Sequence, residues 1–117
     1  MNDGKSNILK NISILIPAFN PDNKLITLVS NLIKAGFTNI SIVDDGSSEE
    51  YKPIFNELGN MTQCQILVHA VNMGKGRALK TGFNYFLNNC PECVGIVTAD
   101  ADGQHNINDI IKVSQRL

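Results

Sequence analysis

The stretch NISILIPAFNPDNKLITLVSNLIKAGF, residues 11–37, contains the unit that decides the fold: an apolar strand followed directly by an amphipathic helix. Residues 12–16 form an almost unbroken apolar run, which predicts a strand buried on both faces. The helix is predicted because apolar residues recur at helical spacing, and Gly36 is suited to end it. These apolar positions are Leu25, Leu28, Val29, Leu32 and Ile33.

Two helix starts carry capping signals. Asn20 is the expected N-cap of the first helix, with Pro21 in the first turn, where a missing N–H does no harm. Ser47 and Glu50 in SSEE have the spacing of a capping box, which predicts a helix over about 47–58.

The alternation of strand and helix continues to the end of the chain. Further strands are predicted at NISIVDD (39–45), QCQILVHA (63–70) and VGIVTAD (94–100), and further helices at 76–89 and 107–117. A βαβαβαβα order with strands apolar on both faces predicts a parallel sheet covered by helices on both faces. The expected fold class is therefore α/β and Rossmann-like, in a single domain over residues 1–117.

Composition excludes several classes of function. A formal net charge of −1 gives no basis for nucleic-acid binding, so no nucleic-acid partner is expected. No apolar run reaches the roughly 18 residues of a membrane span, and the start MNDGKSNILK has no apolar signal region. We therefore expect a cytoplasmic chain.

Three cysteines are too few and odd in number for a secreted disulfide framework. Cys90 and Cys93 have CxxC spacing, but they fall between a helix end and a strand start, and not at the helix N-terminus that a redox pair requires. A structural zinc site would need two more ligands, and no second close pair is present. Ordinary loop thiols are the favoured interpretation.

In parallel α/β sheets, ligands bind outside the carboxyl ends of the strands, so the polar residues at those ends are the candidates. The fourth strand ends in DADGQH. In an extended chain Asp100 and Asp102 project to one side, and Gln104 follows the same alternation. Oxygen ligands of this kind suit Mg²⁺ or Mn²⁺. The alternative is that Asp102 only starts a turn and that Asn106 or Asn108 caps the last helix.

The second strand ends in VDDGSS, and an Asp-Gly turn followed by a capping box explains its last four residues without a ligand. Asp44 and Asp45 remain as adjacent carboxylates at a strand tip, where an acid can accept from a nucleobase or a ribose hydroxyl. His69 lies within the third predicted strand and is interpreted as a hydrogen-bonded core or edge histidine.

The third helix begins at GKGR. Lys75 and Arg77 at a helix N-terminus would favour a diphosphate, although a surface turn with basic residues explains the same letters. Gly76 stands where a Walker loop has Ser or Thr, and Leu79 stands where a GxGxxG fingerprint has its last glycine. The loop therefore matches neither standard phosphate motif.

The segments ILIPAFNP, IVDDGSS, NMGKGRALKTGF and VTADADGQH, in this order and spacing, resemble the family-2 glycosyltransferases with a GT-A fold. DADGQH is most similar to the branch that makes polyprenyl-phosphate sugars, of the dolichol-phosphate mannose synthase type. The resemblance extends from about Ile12 to Leu117 and implies the N-terminal, nucleotide-binding half of the fold.

The resemblance implies a nucleoside site at the first two strand ends. Pro17 and Ala18 would line the base pocket, and Asp45 would bind the base with Asp44 supporting it.

It also implies a diphosphate and metal site. Lys75 and Arg77 would face the phosphates of a UDP- or GDP-sugar. Asp100 and Asp102 would hold Mg²⁺ or Mn²⁺, with Gln104 as a further ligand and Asp102 as the residue expected to act in catalysis.

The implied reaction transfers a hexose from the nucleotide sugar to a polyprenyl-phosphate acceptor, at the inner face of a membrane in the full-length protein. Because the sequence stops within a predicted helix at Leu117, we expect donor binding without efficient transfer by these 117 residues alone. Two alternatives stay open: a family-2 transferase for a polysaccharide or cell-surface glycan, and a non-catalytic nucleotide-binding module. A receiver domain is disfavoured because its acid pair would follow the first strand.

Overall fold

A parallel sheet of four strands forms the centre of the protein in the computed structural model, which describes residues 8–103 and 107–116. The strands are β1 (Ile12–Ala18), β2 (Asn39–Asp45), β3 (Cys64–His69) and β4 (Gly95–Thr98). The helices are α1 (Asn23–Ala35), α2 (Lys52–Gly59), α3 (Lys75–Asn89) and α4 (Ile107–Gln115). The predicted α/β, Rossmann-like fold is confirmed. Within these two ranges, no helix has the length and apolarity that crossing a membrane requires.

The strands lie in the order β3-β2-β1-β4, and every neighbouring pair is parallel. Ile14 on β1 lies between Ile40 on β2 and Val97 on β4. The chain therefore builds outward from β1 through β2 to β3, then crosses back to place β4 on the other side of β1. This reversal leaves a crevice at the carboxyl ends of β1 and β4, where doubly wound sheets bind ligands.

Helices cover both faces of the sheet. The larger core joins one sheet face to α1, α2 and α4, with Leu25, Leu58 and Ile110 among its buried members. On the other face, Ala78 of α3 packs with Leu15 and Val43. Helix α3 approaches β1 closely because Gly82 has no side chain: a Cβ there would overlap the side chain of Leu15.

The predicted start of α1 is wrong by two residues. Helix α1 begins after Asp22, whose carboxylate accepts from the Lys24 N–H at 2.9 Å. Asn20 is occupied elsewhere: its backbone N–H donates to the Ser47 hydroxyl, and its side-chain oxygen accepts from the Ser48 N–H. Two long-range hydrogen bonds therefore outweigh the local capping preference of Asn20. The predicted end at Gly36 is confirmed.

The predicted capping box is also wrong, for the same reason. The Ser47 hydroxyl is used by the Asn20 N–H. A 3₁₀ turn at Glu49–Tyr51 follows, with Ser48 at its N-cap and no capping bond from that side chain. Helix α2 begins only at Lys52.

Candidate functional site

A pocket of about 520 Å³ lies at the carboxyl ends of the strands, at the reversal between β1 and β4. We call it the strand-end pocket. It brings together six of the nine residues that the sequence marked as site candidates. These are Pro17, Ala18, Asp45, Lys75, Asp100 and Asp102.

The two acidic residues after β4 reach this pocket from a turn. Strand β4 ends at Thr98, and the Gly103 N–H bonds to the Asp100 carbonyl at 3.2 Å. The expectation that Asp100 and Asp102 share one side of an extended strand is therefore wrong in its geometry. Gly103 has a φ of 72°, a left-handed conformation that favours glycine. The turn still leaves both carboxylates on the wall of one pocket.

Lys75, the first residue of α3, pairs with one of these carboxylates. Its ammonium lies 2.9 Å from Asp100 Oδ1, and the side chains are 65% and 33% exposed. Pairs this exposed contribute only about 0–1 kcal/mol to stability. The pair therefore marks a place where cationic and anionic groups are held together at the mouth of the pocket.

The donor set of this wall fits a hard divalent cation. Mg²⁺ typically binds through one or two carboxylates and completes its shell with water and substrate phosphates. Asp100 and Asp102 offer those two carboxylates, and Lys75 already shows that a cation is accommodated beside Asp100. Gln104, the third expected ligand, lies outside the described residues.

Asp45 is the most enclosed acid of the pocket, with 4% of its side chain exposed. Its Oδ1 accepts from the Met73 N–H at 2.9 Å and lies 2.8 Å from His69 Nδ1. Its Oδ2 accepts from the Gly74 N–H at 2.9 Å and from the Asn72 side chain at 3.2 Å. Each carboxylate oxygen therefore has two partners within this chain.

These contacts favour the ionised form of Asp45. Burial alone would raise the pKa of this carboxyl, but the bonds from His69, Met73 and Gly74 outweigh burial and hold the pKa below its usual value. An ionised carboxylate only accepts, so His69 Nδ1 carries a proton, and His69 Nε2 lies 2.7 Å from the Thr81 hydroxyl. His69 is thus hydrogen-bonded through both nitrogens, as its interpretation as a satisfied histidine requires.

Two other candidates lie away from the pocket wall. Asp44, the neighbour of Asp45, faces the α2 side of the sheet, where it lines a separate cavity with Lys52 and Phe55. Its Oδ1 accepts from the Ser47 N–H at 3.0 Å. Arg77 is exposed on α3 and does not line the strand-end pocket.

The structure also adds residues that the sequence reasoning missed. Phe19, about half exposed, Asp22 and Asn72 also line the pocket. The sequence did carry a signal for Asp22 as the N-cap of α1, because aspartate is a preferred N-cap residue. No local signal identifies Asn72, since its partner Asp45 lies 27 residues away.

The CxxC pair lies between α3 and β4, outside the strand-end pocket. Ligand atoms of Cys90, Glu92 and Cys93 fall within 4.8 Å of one another, which is one ligand short of a structural zinc site. Burial, together with Cys90 and Glu92, raises the pKa of Cys93 to about 12, which disfavours the thiolate that a metal needs. The interpretation as packed loop thiols stands as the simpler one.

Comparison with known proteins places this geometry in a family. The chain is 39% identical over 102 residues to an uncharacterized protein of Methanocaldococcus jannaschii, covering 87% of this chain and 40% of that protein. It is 34% identical over 121 residues to the UDP-N-acetylglucosamine–dolichyl-phosphate N-acetylglucosaminyltransferase of Methanococcus voltae, covering 92% and 47%. A third relative, 28% identical over 111 residues, is the undecaprenyl-phosphate 4-deoxy-4-formamido-L-arabinose transferase of Pectobacterium carotovorum, with 87% and 32% covered.

The chain thus spans less than half the length of each of these relatives. Residues 13–117 match the family described as Glycosyl transferase family 2, which covers all four strands except the first residue of β1. The sheet order and the strand-end pocket agree with the fold expected from the resemblance of the four motifs. The chain belongs to glycosyl transferase family 2.

Proposed function

We propose that this chain binds the nucleotide-sugar donor of a metal-assisted glycosyltransferase, which moves a hexose to a polyprenyl phosphate. One observation carries the proposal. Asp100 and Asp102 after β4, Lys75 at the start of α3, and Pro17 with Ala18 at the end of β1 all line a single pocket. That pocket lies at the point in the sheet where a nucleotide is expected.

We assign the nucleoside and the diphosphate of the donor to different ends of the pocket. Pro17 and Ala18 provide apolar surface and backbone groups for the nucleoside, with the ring of Phe19 beside them. The diphosphate belongs at the other end, where Lys75 supplies a positive charge at a helix N-terminus. The expected contact of Asp45 with the base stays a prediction, and the hydrogen bonds of its carboxylate favour the different role argued below.

Asp100 and Asp102 would hold Mg²⁺ or Mn²⁺ on the donor diphosphate. The bound cation would supply electrostatic stabilisation of the charge that develops on the departing diphosphate. Lys75 would contribute to the same end from its position beside Asp100. Asp102 would act in catalysis by holding the cation and thereby the leaving group.

The transfer is a displacement at the anomeric carbon. The bond from that carbon to the diphosphate oxygen breaks, and the nucleoside diphosphate leaves with the electron pair. An oxygen of the acceptor forms the new bond. A polyprenyl phosphate needs no general base for this step, because its oxygen is already anionic.

The relatives support the proposed acceptor and the proposed place of action. Two of the similar proteins are named for transferases of dolichyl phosphate and undecaprenyl phosphate. Both acceptors are lipids, so we place the full-length protein at the cytoplasmic face of a membrane. The name of the Methanococcus voltae relative also makes a UDP-sugar the first donor to test.

Isothermal titration calorimetry tests the donor proposal. UDP, GDP and UDP-N-acetylglucosamine are titrated with Mn²⁺, with Mg²⁺ and with a chelator. Metal-dependent binding that Asp102→Ala removes supports the proposal, and Asp109→Ala, an exposed aspartate on α4, is the matched control. Binding that is indifferent to metal and to Asp102→Ala would favour a non-catalytic nucleotide-binding module.

A transfer assay tests the acceptor. Labelled donor is incubated with a short-chain polyprenyl phosphate in one arm and with a soluble oligosaccharide in the other. Label in the lipid supports the proposed acceptor. Label in the oligosaccharide alone favours a transferase for a polysaccharide or a cell-surface glycan.

A further inference from the structure

A partly buried hydrogen-bonded chain connects the end of β2 to the end of β3 and to α3. It consists of the carboxylate of Asp45, the imidazole of His69 and the hydroxyl of Thr81, and we call it the loop clamp. We propose that the loop clamp is a positioning device: it fixes residues 72–74 so that Lys75 enters the strand-end pocket. The proposal rests on the proposed function and names the residues that set its affinity for a diphosphate.

The first step is the direction of the hydrogen bonds. The N–H groups of Met73 and Gly74 both point at the Asp45 carboxylate, at 2.9 Å. These are the two residues immediately before Lys75 on the chain. The carboxylate therefore fixes the backbone from which the Lys75 side chain departs.

The second step is the conformation of that backbone. Gly74 is the N-cap of α3 and has a φ of 94°, which only glycine adopts without strain. Because glycine can adopt many backbone conformations, the loop needs contacts from other residues to hold a single one. Asp45 supplies it from one side, and Gly46 supplies a close backbone approach to Val71 and Asn72 from the other.

The third step is the support behind Asp45. His69 is the last residue of β3 and lies opposite Asp45 in the register of the two strands. Its imidazole, 9% exposed, bridges Asp45 and Thr81 on α3. Neither His69 nor Thr81 lines the strand-end pocket, so a ligand there does not meet them.

This arrangement commits the Asp45 carboxylate to the loop before any ligand binds. A carboxylate has about four acceptor sites in its plane. The four donors from His69, Asn72, Met73 and Gly74 use them. A nucleobase N–H would have to displace a bond that holds the loop.

Paired substitutions of His69 separate the two roles. In His69→Asn the side-chain amide retains a hydrogen-bond donor near the position of Nδ1. In His69→Leu the new side chain is similar in shape to asparagine but has no donor. We measure the dissociation constants of UDP, GDP and inorganic pyrophosphate, which has no base. His69→Leu is expected to weaken all three by the same factor, about tenfold, the size of one lost hydrogen bond to a charged group. His69→Asn is expected to restore most of the affinity.

The loop itself is observed by amide hydrogen exchange. His69→Leu and the milder Thr81→Val are expected to accelerate exchange at Met73 and Gly74. Thr38→Val, on an exposed loop at the opposite end of the sheet, is expected to leave it unchanged. Melting temperatures identify variants that fail to fold, and Thr81→Val provides the measurement if His69→Leu does not fold.

Two results would overturn the proposal. One is an affinity loss confined to UDP and GDP with pyrophosphate unaffected, because that is the signature of a base contact. The other is unchanged exchange at Met73 and Gly74 in both variants. If the unmodified chain binds neither nucleotides nor pyrophosphate, the proposed function fails, while the exchange data still decide whether the clamp holds the loop.

Discussion

Replacing Gly46 with alanine should destabilise this protein more than any other glycine-to-alanine change near the pocket. Gly46 follows Asp45 with a φ of 72°, in the left-handed region. A Cβ at this position would overlap the backbone of Val71 and Asn72, far inside contact distance. Backbone atoms cannot move aside by rotating a side chain, so the loop itself would have to shift.

Two costs add in this variant. A non-glycine residue in the left-handed region costs about 1–2 kcal/mol. Overpacking against a neighbour that cannot relax costs about 1–3 kcal/mol more. The expected loss is therefore about 2–5 kcal/mol of the free energy of unfolding, a large share of the roughly 5–15 kcal/mol typical of a domain.

Two other glycines separate these costs. Gly74 has a φ of 94° and a ψ of 157°, a conformation nearly confined to glycine, with open space around its Cβ position, so Gly74→Ala should show a backbone cost alone, about 1–3 kcal/mol. Gly76 has neither a positive φ nor a nearby atom, and it lies in α3, so Gly76→Ala should stabilise by about 0.5–1 kcal/mol. Urea denaturation monitored by circular dichroism gives all three values. If Gly46→Ala costs less than about 2 kcal/mol, which the left-handed backbone alone would explain, the close approach of Gly46 to the backbone of Val71 and Asn72 is refuted.

Three further predictions follow from the charges and thiols. The hydrogen bonds to Asp45 hold the pKa of its carboxyl below the usual value, so its contribution to stability is present above about pH 4 and is lost as the pH falls through the lowered pKa. Urea midpoints measured from pH 6 to pH 2 should show this loss. The same measurement on Asp45→Asn should not show it. Lys75→Met should change the free energy of unfolding by under about 1 kcal/mol, because the ion pair of Lys75 with Asp100 is exposed. The same variant should bind pyrophosphate about tenfold more weakly, as measured by calorimetry. An unchanged affinity would show that Lys75 does not contact the diphosphate. Burial raises the pKa of Cys64 from 9.0 to about 11, so this thiol should react with a disulfide reagent at pH 8 about a hundredfold more slowly in the folded protein than in urea, as followed by mass spectrometry; equal rates in the two states would contradict the burial of this thiol.

Much of the fold could be predicted because its signals are local. Apolar runs mark the strands, and the spacing of Leu25, Leu28 and Leu32 marks α1, all of which are buried in the structure. The capping assignments failed because Asn20 and Ser47 bond to each other across 27 residues. A capping rule considers only a few neighbouring residues, so it cannot register a competing partner from another loop.

The sequence identified a group of candidate site residues, but it did not show which role each of them has. Asp44 and Asp45 are adjacent and look equivalent in the sequence, yet successive strand residues point to opposite faces. In the structure Asp45 turns to the strand-end pocket and Asp44 to the α2 side. Which one does so depends on the register of β2 between its neighbours, and no local pattern encodes that register.

The sequence by itself determined that four apolar strands alternate with helices and that each strand ends in polar residues. Hydrophobic burial and the periods of strand and helix suffice for this, because they depend on residues close together along the chain. Only the tertiary structure decided that Lys75 meets Asp100, 25 residues away, and that Asp45 is enclosed by the loop before α3. Those contacts arise from the return of the chain across β1, since the position of β4 beside β1 is what closes the pocket.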